Sequence, residues 1–240
     1  MAIVLPAWIF ASFVLAQVVM YLIVQGLLAI GVPLVELNPT VLTASYNAVT
    51  YALMVAMVIS LPWWIKKYKT TKEELGIQAP GWELAIWELL IAPASLIAYV
   101  ILSALLVIFA QYFLPFIDFN QVQDTGFSQL IHGYEYVLAF LTLVVIAPIA
   151  EEVLFRGYLL GKLRAHISTW LSVLIVSVLF AIVHGAWNVG IDVFALSIVL
   201  CLLRIFTKNL WPSIILHMTK NFIAFYLLFI NPTLLSTLGG

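Results

Sequence analysis

Seven long apolar segments dominate this 240-residue chain and exclude most water-soluble folds. The composition agrees, with 65% hydrophobic and 9% charged residues and a mean hydropathy of +1.15. A helix needs about 20 apolar residues to cross the hydrocarbon core of a bilayer. The pattern predicts an all-α, polytopic transmembrane helical bundle of about seven spans. They are residues 6–30, 41–65, 84–114, 136–157, 170–188, 191–207 and 211–230, of which 191–207 is the shortest.

The basic residues predict how the chain is oriented in the membrane. They lie in alternate loops, after the second, fourth and sixth spans. Because cytoplasmic loops carry an excess of Lys and Arg, we expect these loops and the N-terminus in the cytoplasm, and residues 115–135 on the outer face. The basic residues are Lys66, Lys67, Lys69 and Lys72, then Lys162 and Arg164, then Arg204 and Lys208.

Neither a soluble domain nor an internal repeat interrupts this pattern. We therefore predict one membrane domain over residues 1–240, with N-terminal spans and an outer loop in 1–135 and, in 136–230, the helices that carry the motifs described below. The formal net charge of −1 gives no reason to expect a nucleic-acid partner. The single cysteine, Cys201, lies in an apolar run and permits no intrachain disulfide, so we expect it to be a packing residue.

One stretch, residues 147–157, places three ionisable side chains in an apolar helix. Charges within a bilayer are costly and indicate function by default. Residues four apart share a helix face, so Glu152 and Arg156 are predicted to pair, while Glu151 points elsewhere and stays free. The alternative is that all three lie in interfacial water at a helix end and only stop the span.

Two later spans carry the other polar residues of interest. His184 falls in the fifth predicted span, while His217 and Asn221 share one face of the seventh. Glu151 and His184 are equidistant from a turn near residues 165–168, and His217 and Asn221 start from the same side. We expect all four at a common depth, in a cavity open to the cytoplasmic side.

These four residue types fit hydrolysis of a peptide bond. A desolvated glutamate such as Glu151 can act as general base toward a water molecule, and His184 can share that water or pass its proton on. His217 and Asn221 can donate hydrogen bonds to the oxygen of a tetrahedral intermediate. This favoured mechanism requires no cofactor.

A zinc-dependent version would use the same residues as ligands. Glu151, His184 and His217 could bind the ion and leave a position for water. The His-Glu-x-x-His signature of zinc proteases is absent. Composition leaves both mechanisms open, and we favour direct glutamate chemistry.

Other polar residues receive simpler interpretations. We predict Asp192 to be a loop or cap residue, Lys220 to extend toward the interface, and Asn188 to be a helix-end polar group. Pro148 removes a backbone hydrogen bond just before Glu151 and is expected to kink the helix and open space for water. The first two spans look generic.

Three motifs occur in order and complete in this sequence: Glu-Glu-x-x-x-Arg at residues 151–156, Phe-x-x-x-His at 180–184 and His-x-x-x-Asn at 217–221. With them the chain resembles the CPBP (Abi) family of intramembrane proteases, which includes CAAX prenyl proteases and bacteriocin-processing enzymes. The resemblance covers about residues 140–225. A weaker similarity lies at residues 71–77, Thr-Lys-Glu-Glu-Leu-Gly-Ile.

The resemblance implies roles for the matching residues. Glu151 corresponds to the water-activating base and His184 to the histidine that assists it. His217 and Asn221 correspond to the oxyanion-stabilising pair. The remaining motif residues, Glu152 and Arg156, have a structural or substrate-orienting role.

The same resemblance implies an intramembrane endopeptidase acting on a membrane-associated peptide or a lipid-anchored protein, of glutamate or metalloprotease type. The compact chain is similar to bacterial members, which implies a bacterial plasma membrane. One alternative is a non-proteolytic peptide-binding or bacteriocin self-immunity membrane protein. A transporter is a further alternative, although its polar residues would be expected in both halves of the chain.

Overall fold

The computed structural model describes residues 3–66, 69–77, 82–119, 121, 125–127 and 130–237, and over these ranges it contains helices and turns but no strand. This confirms the predicted all-α class. The helices are α1 (Val4–Ala29), α2 (Pro39–Lys66), α3 (Lys72–Leu75) and α4 (Trp82–Phe113). They continue with α5 (Gly133–Arg164), α6 (Thr169–Ile182), α7 (Trp187–Thr207), α8 (Trp211–Ile230) and α9 (Pro232–Thr237).

Six of these helices are long and apolar enough to cross a membrane, namely α1, α2, α4, α5, α7 and α8. The remaining predicted span corresponds to α6, an apolar helix of 14 residues. The protein is therefore an integral membrane protein with roughly the predicted number of spans. The shortest is α6 and not the span at 191–207, because the apolar run 170–188 is divided at Gly185, whose φ is +75°. Its last residues join α7, which reaches 21 residues.

Polar contacts define two ends of the bundle. At one end, Asn38 donates to Glu135 over 2.6 Å. At the other end, Lys162 lies 3.2 Å from Glu74. We call these the Glu135 end and the Lys162 end. The predicted assignment of the basic end to the cytoplasm stays a prediction, and Lys67, one of the residues behind it, lies outside the described residues.

Helix α5 forms the centre of the bundle. Its residues Leu154, Leu159 and Leu163 are fully buried and belong to a cluster that also contains residues of α1, α2 and α6. By contrast, α4 exposes large apolar side chains such as Ile97 and Leu105, as expected for a helix that faces lipid. The charged motif of α5 is consequently surrounded by protein, which is where intramembrane charges are tolerated.

Two π-helical segments, Leu141–Ile146 and Val153–Leu159, flank the α-helical turn Ala147–Glu152 of α5. In the first segment the N–H of Ala147 donates to Thr142, five residues back. The same spacing would pair residue 148 with the carbonyl of Leu143, but Pro148 has no N–H to donate. Pro148 therefore lies where the helix widens, and the Leu143 carbonyl is left for another donor.

The short helix α3 packs against the charged stretch from the Lys162 end. Thr71 caps it by accepting from the N–H of Glu74, and Gly76 ends it with a φ of +77°. A Cβ atom on Gly157 would lie 3.2 Å from the carbonyl oxygen of Leu75, so a larger residue would have to displace α3 by a few tenths of an ångström. The region of weaker resemblance is thus a distinct element that contacts α5.

Candidate active site

A cavity of about 320 Å³ lies between α1, α2, α5, α8 and the turn before α7. All four residues predicted to be catalytic line it: Glu151, His184, His217 and Asn221. The structure therefore brings together the side chains that the sequence distributes over three segments. Thr125 also lines the cavity, so the lining extends toward the Glu135 end of the bundle.

The Glu151 carboxylate forms part of the cavity wall, and its side chain is 15% exposed. Its Oε1 accepts a hydrogen bond from the hydroxyl of Tyr51 over 2.7 Å. Its Oε2 lies 3.7 Å from Nε2 of His217. The carboxylate is thus placed between a phenol and an imidazole, with access to the cavity.

Glu152 and Arg156 form the predicted ion pair, with 2.9 Å between Oε1 and Nη1. Both side chains are fully buried, so the alternative of three solvated charges at a helix end is wrong. Nδ1 of His217 also lies 2.9 Å from Oε1 of Glu152. Because an ionised carboxylate can only accept hydrogen bonds, His217 donates to Glu152 through Nδ1. Its other ring nitrogen, Nε2, lies on the side of Glu151.

Phe180 supports three of the motif residues at once. Its fully buried ring lies 4.2 Å from Cζ of Arg156, a cation–π contact. The same ring packs edge-on against His184 and His217, with centroid distances of 4.8 and 5.8 Å. This shared packing explains the phenylalanine of the second motif.

His184 lies in the turn after α6, and the expectation that it sits within a span is wrong. The helix ends at Ile182, because the chain reverses at Gly185. Nδ1 of His184 lies 2.7 Å from the carbonyl oxygen of Phe180, and a carbonyl can only accept. His184 therefore carries its proton on Nδ1, and its Nε2 lone pair is available to a water molecule.

Asn221 holds the widened part of α5. Its Nδ2 donates to the carbonyl oxygen of Leu143 over 2.9 Å. This is the carbonyl left without a backbone donor because Pro148 has no N–H. The amide keeps a second N–H and its own oxygen. Any oxyanion contact by Asn221 would use that second N–H.

The structure corrects the interpretation of Asp192 and gives Lys220 a partner. Helix α7 begins at Trp187, earlier than predicted, so Asp192 lies within it and is not a loop or cap residue. Its Oδ1 accepts hydroxyl hydrogen bonds of 2.6 Å from both Tyr99 and Ser103. Its Oδ2 lies 3.4 Å from Nζ of Lys220. Lys220 also lines the cavity.

Two smaller expectations can also be compared with the structure. Asn188 is a helix-end polar group, as predicted: it is the second residue of α7 and donates to the carbonyl oxygen of Gln121 over 2.7 Å.

The first two spans are not generic. Helix α1 contributes Phe10 and Phe13 to the cavity, and α2 contributes Asn47 and Tyr51.

The described part of the chain contains no group of three His, Cys, Asp or Glu side chains arranged to hold a metal ion. Glu151, His184 and His217 line one cavity, but Nδ1 of each histidine is already within hydrogen-bond distance of a protein oxygen. These contacts use only Nδ1, and zinc-binding histidines are commonly oriented by such a contact through the nitrogen that does not bind the metal. We derive no step through a metal.

The region that holds all three motifs is similar to a known protein family. Residues 133–223 match the family described as type II CAAX prenyl endopeptidase Rce1-like. Over this segment, the chain is similar to the Rce1-like family. The resemblance drawn from the three motifs is thereby confirmed, and the Rce1-like segment includes every residue predicted to be catalytic.

Two curated bacterial proteins are similar to the chain. An uncharacterized 24.3 kDa protein of Escherichia coli is 32% identical over 89 residues, which are 35% of this chain and 41% of that protein. The UPF0177 protein YxdF of Lactococcus lactis is 23% identical over 171 residues, which are 70% of this chain and 88% of that protein. The chain thus matches less than half of the first relative's length. No solved structure matches it.

Sequence reasoning missed Tyr51, Asp192 and Lys220 as partners in or beside the cavity. Asp192 and Lys220 lie within the Rce1-like segment, and opposite charges in neighbouring spans are themselves a signal of pairing. Tyr51 lies outside that segment. Nothing in the local sequence separates it from Tyr46 on the same helix.

Proposed function

We propose that the protein is an intramembrane endopeptidase that hydrolyses a peptide bond of a membrane-associated peptide or a lipid-anchored protein. The supporting observation is a carboxylate, that of Glu151, in the wall of a cavity that it shares with the unprotonated Nε2 side of His184. Such a pair can hold one water molecule and accept its proton. The similarity of residues 133–223 to CAAX prenyl endopeptidases supports the same reaction class.

In the proposed reaction, a water molecule binds between Glu151 and Nε2 of His184. Glu151 takes one proton as the water oxygen forms a bond to the carbonyl carbon of the substrate. The negative charge moves to the carbonyl oxygen, giving a tetrahedral intermediate. The C–N bond then breaks, and the proton held by Glu151 passes to the leaving amine, directly or through His184. The products are a carboxylic acid and an amine.

Stabilisation of the intermediate is assigned to the second N–H of Asn221 and to Nε2–H of His217. His217 can donate at both nitrogens when its imidazole is protonated, through Nδ1 to Glu152 and through Nε2 into the cavity. Preorganised donors of this kind contribute when negative charge develops on the carbonyl oxygen. Glu152 and Arg156 then act as the support that fixes His217.

We place the active protein in a bacterial plasma membrane with its N-terminus in the cytoplasm. The two similar proteins come from bacteria, and the basic loops favour this orientation. The mechanism uses no cofactor. Zinc dependence is tested directly by chelation in the experiment below.

The decisive experiment compares the peptides released by membranes that contain the wild-type protein or the Glu151→Gln variant. Mass spectrometry is performed with and without a zinc chelator. The control is Glu74→Gln, which changes an exposed carboxylate that is not among the described residues lining the cavity. We expect products from wild type and Glu74→Gln only, and their persistence in chelator. Equal products from Glu151→Gln would refute the role of Glu151. No wild-type product of any kind would favour the peptide-binding or self-immunity function.

A further inference from the structure

Tyr51 makes a direct contact with the proposed catalytic base from outside the Rce1-like segment. Its hydroxyl donates to Oε1 of Glu151 over 2.7 Å, across 100 positions of sequence. Tyr51 belongs to α2, whereas Glu151 belongs to α5. The N-terminal part of the chain therefore reaches the centre of the site.

This hydrogen bond distinguishes the two oxygens of the Glu151 carboxylate. Oε1 is held by Tyr51, while Oε2 lies 3.7 Å from Nε2 of His217, another residue of the cavity lining. A carboxylate held at one oxygen cannot rotate freely about its last torsion. The oxygen left free to accept a proton is therefore Oε2, on the side of His217.

Packing fixes the Tyr51 ring itself. Besides the catalytic cavity, Tyr51 lines a second, apolar groove formed by α2 and α5. Ala48 and Ala52 flank it on its own helix, and Ile149 and Val153 of α5 line the same groove. Tyr51 also packs against the buried cluster that contains Met54 of α2 and Phe155 of α5, so its ring is held beside α5 while its hydroxyl donates to the carboxylate.

We propose that Tyr51 is a positioning residue for the hydrolysis, holding Oε1 of Glu151 so that Oε2 receives the proton of the attacking water. This inference rests on the proposed function. Tyr51 acts through Glu151 and makes no contact of its own with the reacting atoms in the mechanism above. Its removal should affect the chemical step and spare substrate binding.

The experiment is the steady-state kinetics of Tyr51→Phe, with the full-length protein in lipid vesicles. The substrate is a polypeptide that membranes containing the wild-type protein cleave and membranes lacking it do not. The substitution removes one oxygen atom and keeps the ring. A small misplacement of a catalytic group costs roughly 100-fold in rate, so we expect kcat to fall roughly 10- to 100-fold and KM to stay within about twofold of wild type.

Tyr46→Phe is a matched control on the same helix. The Tyr46 hydroxyl donates to Oε1 of Gln17 over 2.6 Å, so this variant also loses one interhelical hydrogen bond. Tyr46 is not among the described residues that line the cavity. We expect its kcat and KM to match those of wild type.

Three outcomes decide the inference. Wild-type kcat in Tyr51→Phe would overturn it, and so would a rise in KM without a fall in kcat. A loss of kcat matched by the same loss in Tyr46→Phe would show a general effect of helix packing and would also overturn it. If Glu151→Gln remains active in this assay, the proposed function fails; if Glu151→Gln is inactive and Tyr51→Phe is normal, only the role of Tyr51 fails.

Discussion

Nδ1 of His217 lies 2.9 Å from the same Glu152 oxygen that is 2.9 Å from Nη1 of Arg156. One buried carboxylate thereby connects α5 with α8. The adjacent acids of the first motif consequently have different environments. Glu152 is fully enclosed and paired twice, whereas Glu151 is partly exposed to the cavity.

The Glu152→Gln variant should be strongly destabilised. Removing one partner of a buried ion pair leaves the other charge uncompensated and typically costs about 3–5 kcal/mol. We expect a large drop in the thermal unfolding temperature in detergent, because Arg156 is fully buried. Glu74→Gln, which breaks the exposed pair with Lys162, should cost less than about 1 kcal/mol. Equal stability of the two variants would show that the buried pair contributes little.

Asn221 and Pro148 should be energetically coupled through the Leu143 carbonyl. In the wild-type background, Asn221→Ala removes the side-chain donor to this carbonyl, at a typical cost of about 1–3 kcal/mol. In a Pro148→Ala background, the restored N–H of residue 148 can donate instead, so Asn221→Ala should cost less. A double-mutant cycle of unfolding free energies measures the coupling, which we expect to reach about 1 kcal/mol. If the unfolding free-energy changes of the two substitutions were strictly additive, the Leu143 carbonyl would not couple Asn221 to Pro148.

The ion pair of Asp192 and Lys220 can be isolated from the hydroxyl contacts of Asp192. Asparagine keeps an oxygen that can accept from Tyr99 and Ser103 but loses the negative charge. Because both charged side chains are 20–30% exposed, we expect Asp192→Asn to cost about 1 kcal/mol. Adding Lys220→Met should restore stability. The test is the thermal unfolding temperature of the two variants. An Asp192→Asn variant that unfolds at the wild-type temperature would rule out a stabilising ion pair.

The orientation can be tested by labelling with a membrane-impermeant maleimide. Cys201 is buried, and Cys201→Ser gives a background without thiols. In that background, Tyr134→Cys reports on the Glu135 end and His166→Cys on the Lys162 end, since both positions are exposed. We expect Tyr134→Cys to react in intact cells and His166→Cys to react only after permeabilisation. The reverse pattern would place the basic end outside.

The sequence predicts those parts of the structure that depend on local spacing. Hydropathy locates the spans, because each must supply its own apolar length. The i, i+4 rule predicts the contact between Glu152 and Arg156. The meeting of Glu151, His184, His217 and Asn221 also follows from chain order and the position of turns.

The errors arise where the backbone departs from a regular helix or where a contact spans distant segments. The apolar run continues past His184 and predicts a helix there, whereas Gly185 permits a reversal. Because of this reversal, α7 begins before the predicted boundary, and Asp192 lies within a helix and not in a loop. Tyr51 and Tyr46 are equivalent by hydropathy, and only the packing of α2 on α5 decides which hydroxyl meets a carboxylate.

The π-helical segment Leu141–Ile146 has a consequence for how this helix tolerates insertions and deletions. A π turn accommodates one residue more than the corresponding α turn, so a chain shortened by one residue here can still form a continuous helix. Successive residues in an α-helix are rotated by about 100°, and the deletion would turn Glu135 relative to Glu151 by about that angle. The Asn38 contact at one end and the Tyr51 contact at the centre could then no longer form together. The extra residue therefore sets how Glu135 is rotated about the axis of α5 relative to Glu151.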